Sequence, residues 1–236
     1  MIYLVDADTL CYACAAVTEG QGEELAKWET NTSVERLLQE VEATEFQLYI
    51  TGEGNFRHKI YPEYKAQRLK VPKPTYLEVC KQHLINEWKA IKSEGCEADD
   101  LLGVAQCEYT TKDIESCIIS IDKDLDQIPG WHYNPGTKRG GSYIKEPRRY
   151  FVSPMEGIRF FYYQLLVGDS ADNIKGAKGI GPIKARAILE GVNEESRLFE
   201  LVQEYYSSDE ELEMNAQVLW IWRKMNDKWV KPIETS

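Results

Sequence analysis

The stretch MIYLVDADTL (1–10) sets the architecture. Residues 2–5 form an uninterrupted apolar run, read as a buried strand, and Asp6 closes it. Residues 8–17 follow as a helix. Residues 33–41 have helical spacing, with Val34, Leu37, Leu38 and Val41 on one face, and lead to a second strand over 46–51. A helix over 75–91 has Thr75 as its N-cap and Glu78 placed to complete a capping box. Another over 97–109 opens with three acids that suit its positive end. A third apolar run, 117–121, again ends in an acid, Asp122. Strands alternating with helices predict a mostly parallel sheet covered on both faces. Chemistry in such sheets gathers at the carboxyl ends of the strands. Asp6, the 51–53 segment and Asp122 all fall there.

The remaining segments are placed outward from this frame. Residues 52–74 are polar, basic and aromatic, and read as a surface excursion. Residues 131–133 and 142–144 read as short strands around PGTKRGG (135–141). Ser153, Pro154 and Glu156 mark the start of a helix to about 167 by N-cap, first-turn proline and capping box. A glycine turn over 176–181 precedes a helix over 182–189, and helices over 194–206 and 209–225 follow. A boundary near 150 separates an α/β core, 1–150, from a helical region, 151–236.

The 236 residues are 43% hydrophobic, enough for a core. No stretch approaches the roughly 18 apolar residues of a membrane span, and an acid at position 6 does not fit a signal peptide. The expectation is a cytoplasmic protein with no membrane partner. Of six cysteines, Cys11 and Cys14 form a lone C-x-x-C on an early helix, read as small buried residues. The net charge of −11 argues against a nucleic-acid partner only if charge is evenly spread. Basic residues instead cluster at 58–73, 138–141 (KRGG), 147–149 and 174–186.

Acids fall in four tight groups: Asp6 with Asp8; Glu97, Asp99 and Asp100; Asp122 and Asp124, with Asp126 beyond; and Asp169 with Asp172. Each has a local explanation as a helix cap or turn. Together they form what a pair of hard divalent ions requires, oxygen ligands drawn from several elements. The segment GDSADNIKGAKGIGPIKARAIL (168–189) is the most specific. Gly179 and Gly181 let backbone approach a phosphate at a helix start, and Lys175, Lys178 and Lys184 add charge without base specificity.

In order along the chain, YLVDADTL, NFRHKIYPEYKAQR, GCEADD, ISIDKDLDQI and LLVGDSADNIKGAKGIGPIKA resemble the 5′-nuclease superfamily. The likeness is to small bacteriophage 5′→3′ exonucleases and flap endonucleases and to the nuclease domain of bacterial DNA polymerase I. The resemblance implies a PIN-like α/β fold with a helical arch segment near 57–74 and a helix–three-turn–helix element at about 165–190. It implies two-metal hydrolysis of DNA with 5′-phosphate products, acting on duplexes with a 5′ end, flap or single-stranded 5′ region. It places Asp6, Glu97, Asp99 and Asp122 at one Mg²⁺, Asp124, Asp169 and Asp172 at a second, with Asp100 adjacent. Mn²⁺ would substitute, and K⁺ would sit at the glycine turn. Lys65 and Arg68 match the residues that contact the scissile phosphate, Asp122 joins them in catalysis, Arg57 lies on the DNA track, and Tyr64 is placed to stack a base. The chain would act as a monomer in replication or repair, in the host cytoplasm if phage-encoded. One departure stands out: Thr51 and Gly52 lie where the family commonly has an Asp. Either Glu53 takes over, or the first site has one carboxylate fewer. The rival readings are a PIN-type RNase and a catalytically weak structure-specific DNA-binding protein.

Overall fold

A computed structural model describes residues 1–139 and 142–232. Five strands run parallel: β1 (Ile2–Asp6), β2 (Glu45–Glu53), β3 (Ile91–Glu94), β4 (Ser116–Ile119) and β5 (Gly130–Asn134). A two-stranded ribbon, β6 (Thr137–Arg139) and β7 (Ser142–Lys145), leads into β8 (Arg148–Val152), which closes the sheet antiparallel to β5. The sheet order is β3-β2-β1-β4-β5-β8. Central β1 is apolar on both sides because helices cover both faces. Val5 packs with Leu48, Ile50 and Ile119 under α1 (Ala7–Val17), α2 (Glu23–Glu40) and the helix Leu77–Trp88. Leu4 and Ile118 pack with Leu102 and, from near the end of the chain, Ile221.

Between β2 and β3 lie the four-residue helix α3 (Arg57–Ile60), a 3₁₀ turn over Ala66–Lys70, and α4 (Leu77–Trp88). The segment expected as an arch is therefore short and folded close to the body. After β3 comes α5 (Ala98–Thr111), and after β8 comes α6 (Pro154–Val167). Ser153 and Glu156 cap α6 reciprocally, as the sequence predicts. A two-residue pair, β9 (Gly168–Asp169) and β10 (Ile174–Lys175), precedes α7 (Pro182–Leu189), α8 (Glu195–Gln203) and α9 (Asp209–Leu219). These helices enclose a second apolar core with Phe161, Tyr162, Leu165, Trp220, Trp222 and Trp229.

Several expectations change. The helix expected over 33–41 begins at Glu23, because Ala26, Thr30, Val34 and Leu38 already make one buried stripe. Thr75 does not cap α4. Its amide and hydroxyl donate to Glu19, and Tyr76 occupies the cap position. β3 and β8 are strands the sequence does not announce. Cys11 and Cys14 are free and buried on α1, as expected. Gly140 and Gly141 of the KRGG turn lie outside the described residues. No helix among the described residues is long and apolar enough to cross a membrane.

Candidate functional site

The carboxyl ends of β1 and β4 and the start of α5 converge on one acidic pocket. Asp6 caps α1 by accepting the Asp8 amide at 3.1 Å, and it also accepts the Ser120 hydroxyl at 2.7 Å. Asp122 plays the same part beyond β4, accepting the Asp124 amide at 2.9 Å. Glu97 caps α5, in a reciprocal box with Asp100. The local explanation of these acids as caps is thus correct for each, yet it leaves carboxylate oxygens turned toward one another.

Electrostatics reveals the grouping. Burial, then the charges of Asp8 and Asp122, push Asp6 up to about 6 against the Ser120 hydrogen bond. Burial, then Asp6, Asp122 and Glu97, hold Asp99 well above the usual carboxylate range. Burial, then Asp122 and Asp169, push Asp124 up to about 8, with Asp172 adding to the effect. Asp122 therefore stands between two sets: Asp6, Asp99 and Glu97 on one side, and Asp124, Asp169 and Asp172 on the other. Such mutual repulsion between buried carboxylates is costly without a cation. Among the described residues, no three His, Cys, Asp or Glu side chains are gathered tightly enough to hold an ion as they stand. Of these acids, Glu97 and Asp172 are paired with Lys65, and Asp172 also with Arg68.

The second set is positioned by a close backbone crossing. Gly168 has φ 71°, and a Cβ there would meet the Gly176 amide at 2.3 Å. With both positions side-chain-free, β9 and β10 cross tightly and present the 169–172 turn to α6. Asp169 accepts the amides of Ala171 and Asp172, and Gln164 of α6 donates to Asp124 at 2.9 Å.

Basic side chains enter from the segment between β2 and α4. Lys65, itself in the left-handed region at φ 55°, places Nζ 2.5 Å from Glu97 and 3.5 Å from Asp172. Arg68 lies 2.6 Å from Asp172. Against burial, the Lys65 and Arg57 charges and hydrogen bonds from Lys65 and Tyr64 hold Glu97 below its ordinary value. For Asp172 burial outweighs Lys65 and Arg68, and its carboxyl is raised.

Three expected site residues do other work. Arg57, expected on the DNA track, is 2% exposed and forks onto Asp100 at 2.6 and 2.9 Å, while also donating to the Val218 and Trp220 carbonyls. Asp100, expected beside the metals, is fully buried and spent on Arg57 and the α5 cap. Tyr64, expected to stack a base, is 3% exposed, and its hydroxyl lies 3.0 Å from Glu97 and 2.9 Å from Asp172. A phenol with both carboxylates at its oxygen and its ring in the core cannot also stack a base.

At the departure from the family pattern, the Thr51 hydroxyl accepts the amide of Ala98, the first residue of α5. The Thr51 amide donates to Asp8, and Lys81 bridges Asp8 and the Thr51 carbonyl. Glu53 is exposed at the end of β2, level with Glu94 of β3. Of the two alternatives, the geometry favours one carboxylate fewer. Asp8, Lys81, Ser120, Gln164 and Asn55, which donates to Glu97 at 2.9 Å, join the site through hydrogen bonds and ion pairs that the sequence does not announce. Asp8 alone carried a signal, its place in the first acid group.

The glycine turn lies beside the pocket. Lys175 and Lys178 are exposed. Gly179 has φ 76°, Gly181 caps α7, and a Cβ at either would meet nothing within 4 Å. The backbone there is open to a large partner. Lys184 lies over the Tyr205 ring and Arg186 over the Tyr163 ring.

Comparison with known proteins identifies the family and the fold. Residues 1–134 match the family profile described as 5′-3′ exonuclease, N-terminal resolvase-like domain. A 5′-3′ exonuclease of Mycoplasma genitalium is 33% identical over 148 residues, 59% of this chain and 51% of the relative. The thermostable DNA polymerase I of Thermus thermophilus is 28% identical over 243 residues, 95% of this chain and 28% of that protein. The chain spans about half the length of the curated exonucleases it matches. The T5 5′-exonuclease solved with bound divalent zinc superposes with TM-score 0.69 at 18% identity, covering 92% of this chain and 88% of that one. That likeness fixes the fold: a mostly parallel sheet flanked by helices.

Proposed function

We propose that this chain, which belongs to the 5′-3′ exonuclease family, is a divalent-metal-dependent nuclease that cuts DNA from 5′ ends or at 5′ flaps. The observation that supports this most is the convergence of Asp6, Asp99, Asp122, Asp124, Asp169 and Asp172 in one pocket, where burial and then the charge of neighbouring carboxylates raise Asp6, Asp99 and Asp124. Hard oxygen donors from four segments suit Mg²⁺ or Mn²⁺. Asp6, Glu97, Asp99 and Asp122 would hold one ion, and Asp124, Asp169 and Asp172 a second. T5 relatives are solved with metal ions and with DNA. Bound there, the ions would supply an activated water and neutralise charge on the attacked phosphate.

The chain's own groups do the rest. Lys65 and Arg68 lie at the pocket's rim and, on leaving Glu97 and Asp172, can reach the nonbridging oxygens of a phosphodiester. The turn at 176–181 offers amides and Lys175 and Lys178 to the duplex backbone without reading bases. The exposed rim and the short 57–70 segment leave a single strand room to enter. The products would carry 5′-phosphates.

The test is cleavage of a 5′-labelled duplex and a flap substrate with and without Mg²⁺. Asp122→Asn should abolish most cleavage and keep the fold. Cleavage by the parent protein in excess chelator, or wild-type turnover by a well-folded Asp122→Asn, would refute the reading.

A further inference from the structure

Residues 61–68 are fastened along the 169–173 turn. Tyr61 donates to the Asn173 carbonyl, the Lys65 amide to the Asp172 carbonyl at 3.0 Å, and Asn173 to the Glu63 carbonyl at 3.0 Å. At the centre of this seam two neighbouring side chains span the same pair of acids. The Lys65 ammonium reaches Glu97 and Asp172. The Tyr64 hydroxyl reaches the same two carboxylates from the buried side. Glu97 belongs to the start of α5 and Asp172 to the turn before α7, so each bridge joins one half of the acidic pocket to the other.

The two bridges differ in kind. An ammonium on a flexible stem is mobile and is attracted by a phosphate. A phenol with its ring in the core is neutral and stays. We propose that Tyr64 is a positioning residue that keeps Glu97 and Asp172 in register, so that the two halves of the pocket take up divalent ions as one unit while Lys65 is away on the substrate. The inference rests on the metal-dependent reading above. A hydroxyl proton can be given to only one carboxylate at a time, so the bridge holds both acids only while they remain close. Groups that orient metal ligands through hydrogen bonds commonly account for about 10–100-fold in metal affinity.

The experiment is a Mn²⁺ titration by calorimetry on four forms of the full chain without DNA: parent, Tyr64→Phe, Lys65→Met and the double variant, with thermal melts as controls for folding. Tyr64→Phe keeps the ring and should bind Mn²⁺ about 10-fold or more weakly. Lys65→Met removes a cation that competes with the ions for Glu97 and Asp172 and should not weaken binding. The loss from Tyr64→Phe should be at least as large in that background as in the parent, because the phenol is then the one bridge left between these two acids. In the parent, hydrogen exchange should slow in 61–68 and in 169–175 at the same Mn²⁺ concentration, a reading that needs no variant. If Tyr64→Phe binds Mn²⁺ as tightly as the parent, or exchange slows only in 169–175, the positioning role is overturned. If the parent itself binds no Mn²⁺, the nuclease reading fails and takes this inference with it.

Discussion

Asp124→Asn should make the metal-free protein more stable while removing cleavage. The carboxylate lies among Asp122, Asp169 and Asp172 and is pushed from 3.8 up to about 8 by burial and by those neighbours. A carboxyl raised on folding favours the fold fully below its unfolded value and loses that contribution as pH rises through the folded one. At pH 8.5 the charged form therefore opposes folding. At about 1.4 kcal/mol per pH unit, the ceiling is roughly 6 kcal/mol. Protons shared with the neighbouring acids and an effective dielectric nearer about 20 than 4 reduce it to roughly 2–3 kcal/mol. Asparagine keeps the oxygen that accepts from Gln164 and cannot charge. For a chain of this length, about 2–4 °C per kcal/mol converts the gain to a rise in Tm of roughly 5–10 °C. At pH 5 the gain should shrink to roughly 1 kcal/mol, because the parent is protonated there. The assay is a thermal melt in chelator at pH 5 and 8.5, paired with cleavage in Mg²⁺. An asparagine variant no more stable than its parent at pH 8.5, or equally stabilised at both values, would refute the reasoning.

Asp100→Ala strands a buried guanidinium and breaks the α5 cap. The expected loss of about 3–5 kcal/mol, or roughly 10 °C in Tm, is read by melting; a fall of less than about 3 °C would contradict the pairing. Lys65→Ala should slow cleavage at saturating substrate by about 10²-fold or more, with duplex affinity nearly unchanged; equal loss of both would make it a phosphate clamp. Replacing Lys175 and Lys178 together should lower the slope of log affinity against log salt by roughly 0.9 for each phosphate no longer neutralised, measured by fluorescence anisotropy on duplex DNA. An unchanged slope would exclude these lysines from the duplex track.

Much of the frame was legible because its signals are local. An apolar run ending in an acid announces β1 and β4. Ser153, Pro154 and Glu156 announce α6, and α7 begins and ends where the glycines and proline put it. β3 was hidden because IKSE is short, polar and mostly exposed, and the helical pattern before it runs into it. β8 was hidden because RRYFV reads as a basic patch. The acids of the pocket were found by type and spacing. Their partners were not: Arg57 meets Asp100 across 43 residues and the Val218 carbonyl across 161. Nothing near Arg57 or Tyr64 in sequence says that either is buried. Basic and aromatic neighbours in an exposed-looking stretch pointed the other way.

The Arg57 fork has a practical corollary for anyone trimming the protein. The family profile ends at residue 134, and an excised fragment cut there would keep every acid of the first set. It would lack the carbonyls of Val218 and Trp220 that accept two of the guanidinium's four hydrogen bonds, and Ile221 would no longer fill the floor beneath Leu4 and Ile118. Arg57 would pull on Asp100 alone, and the start of α5 would shift with it. A fragment ending at residue 134 should therefore melt well below the full chain, and one extended through the tryptophan-rich segment should recover that loss.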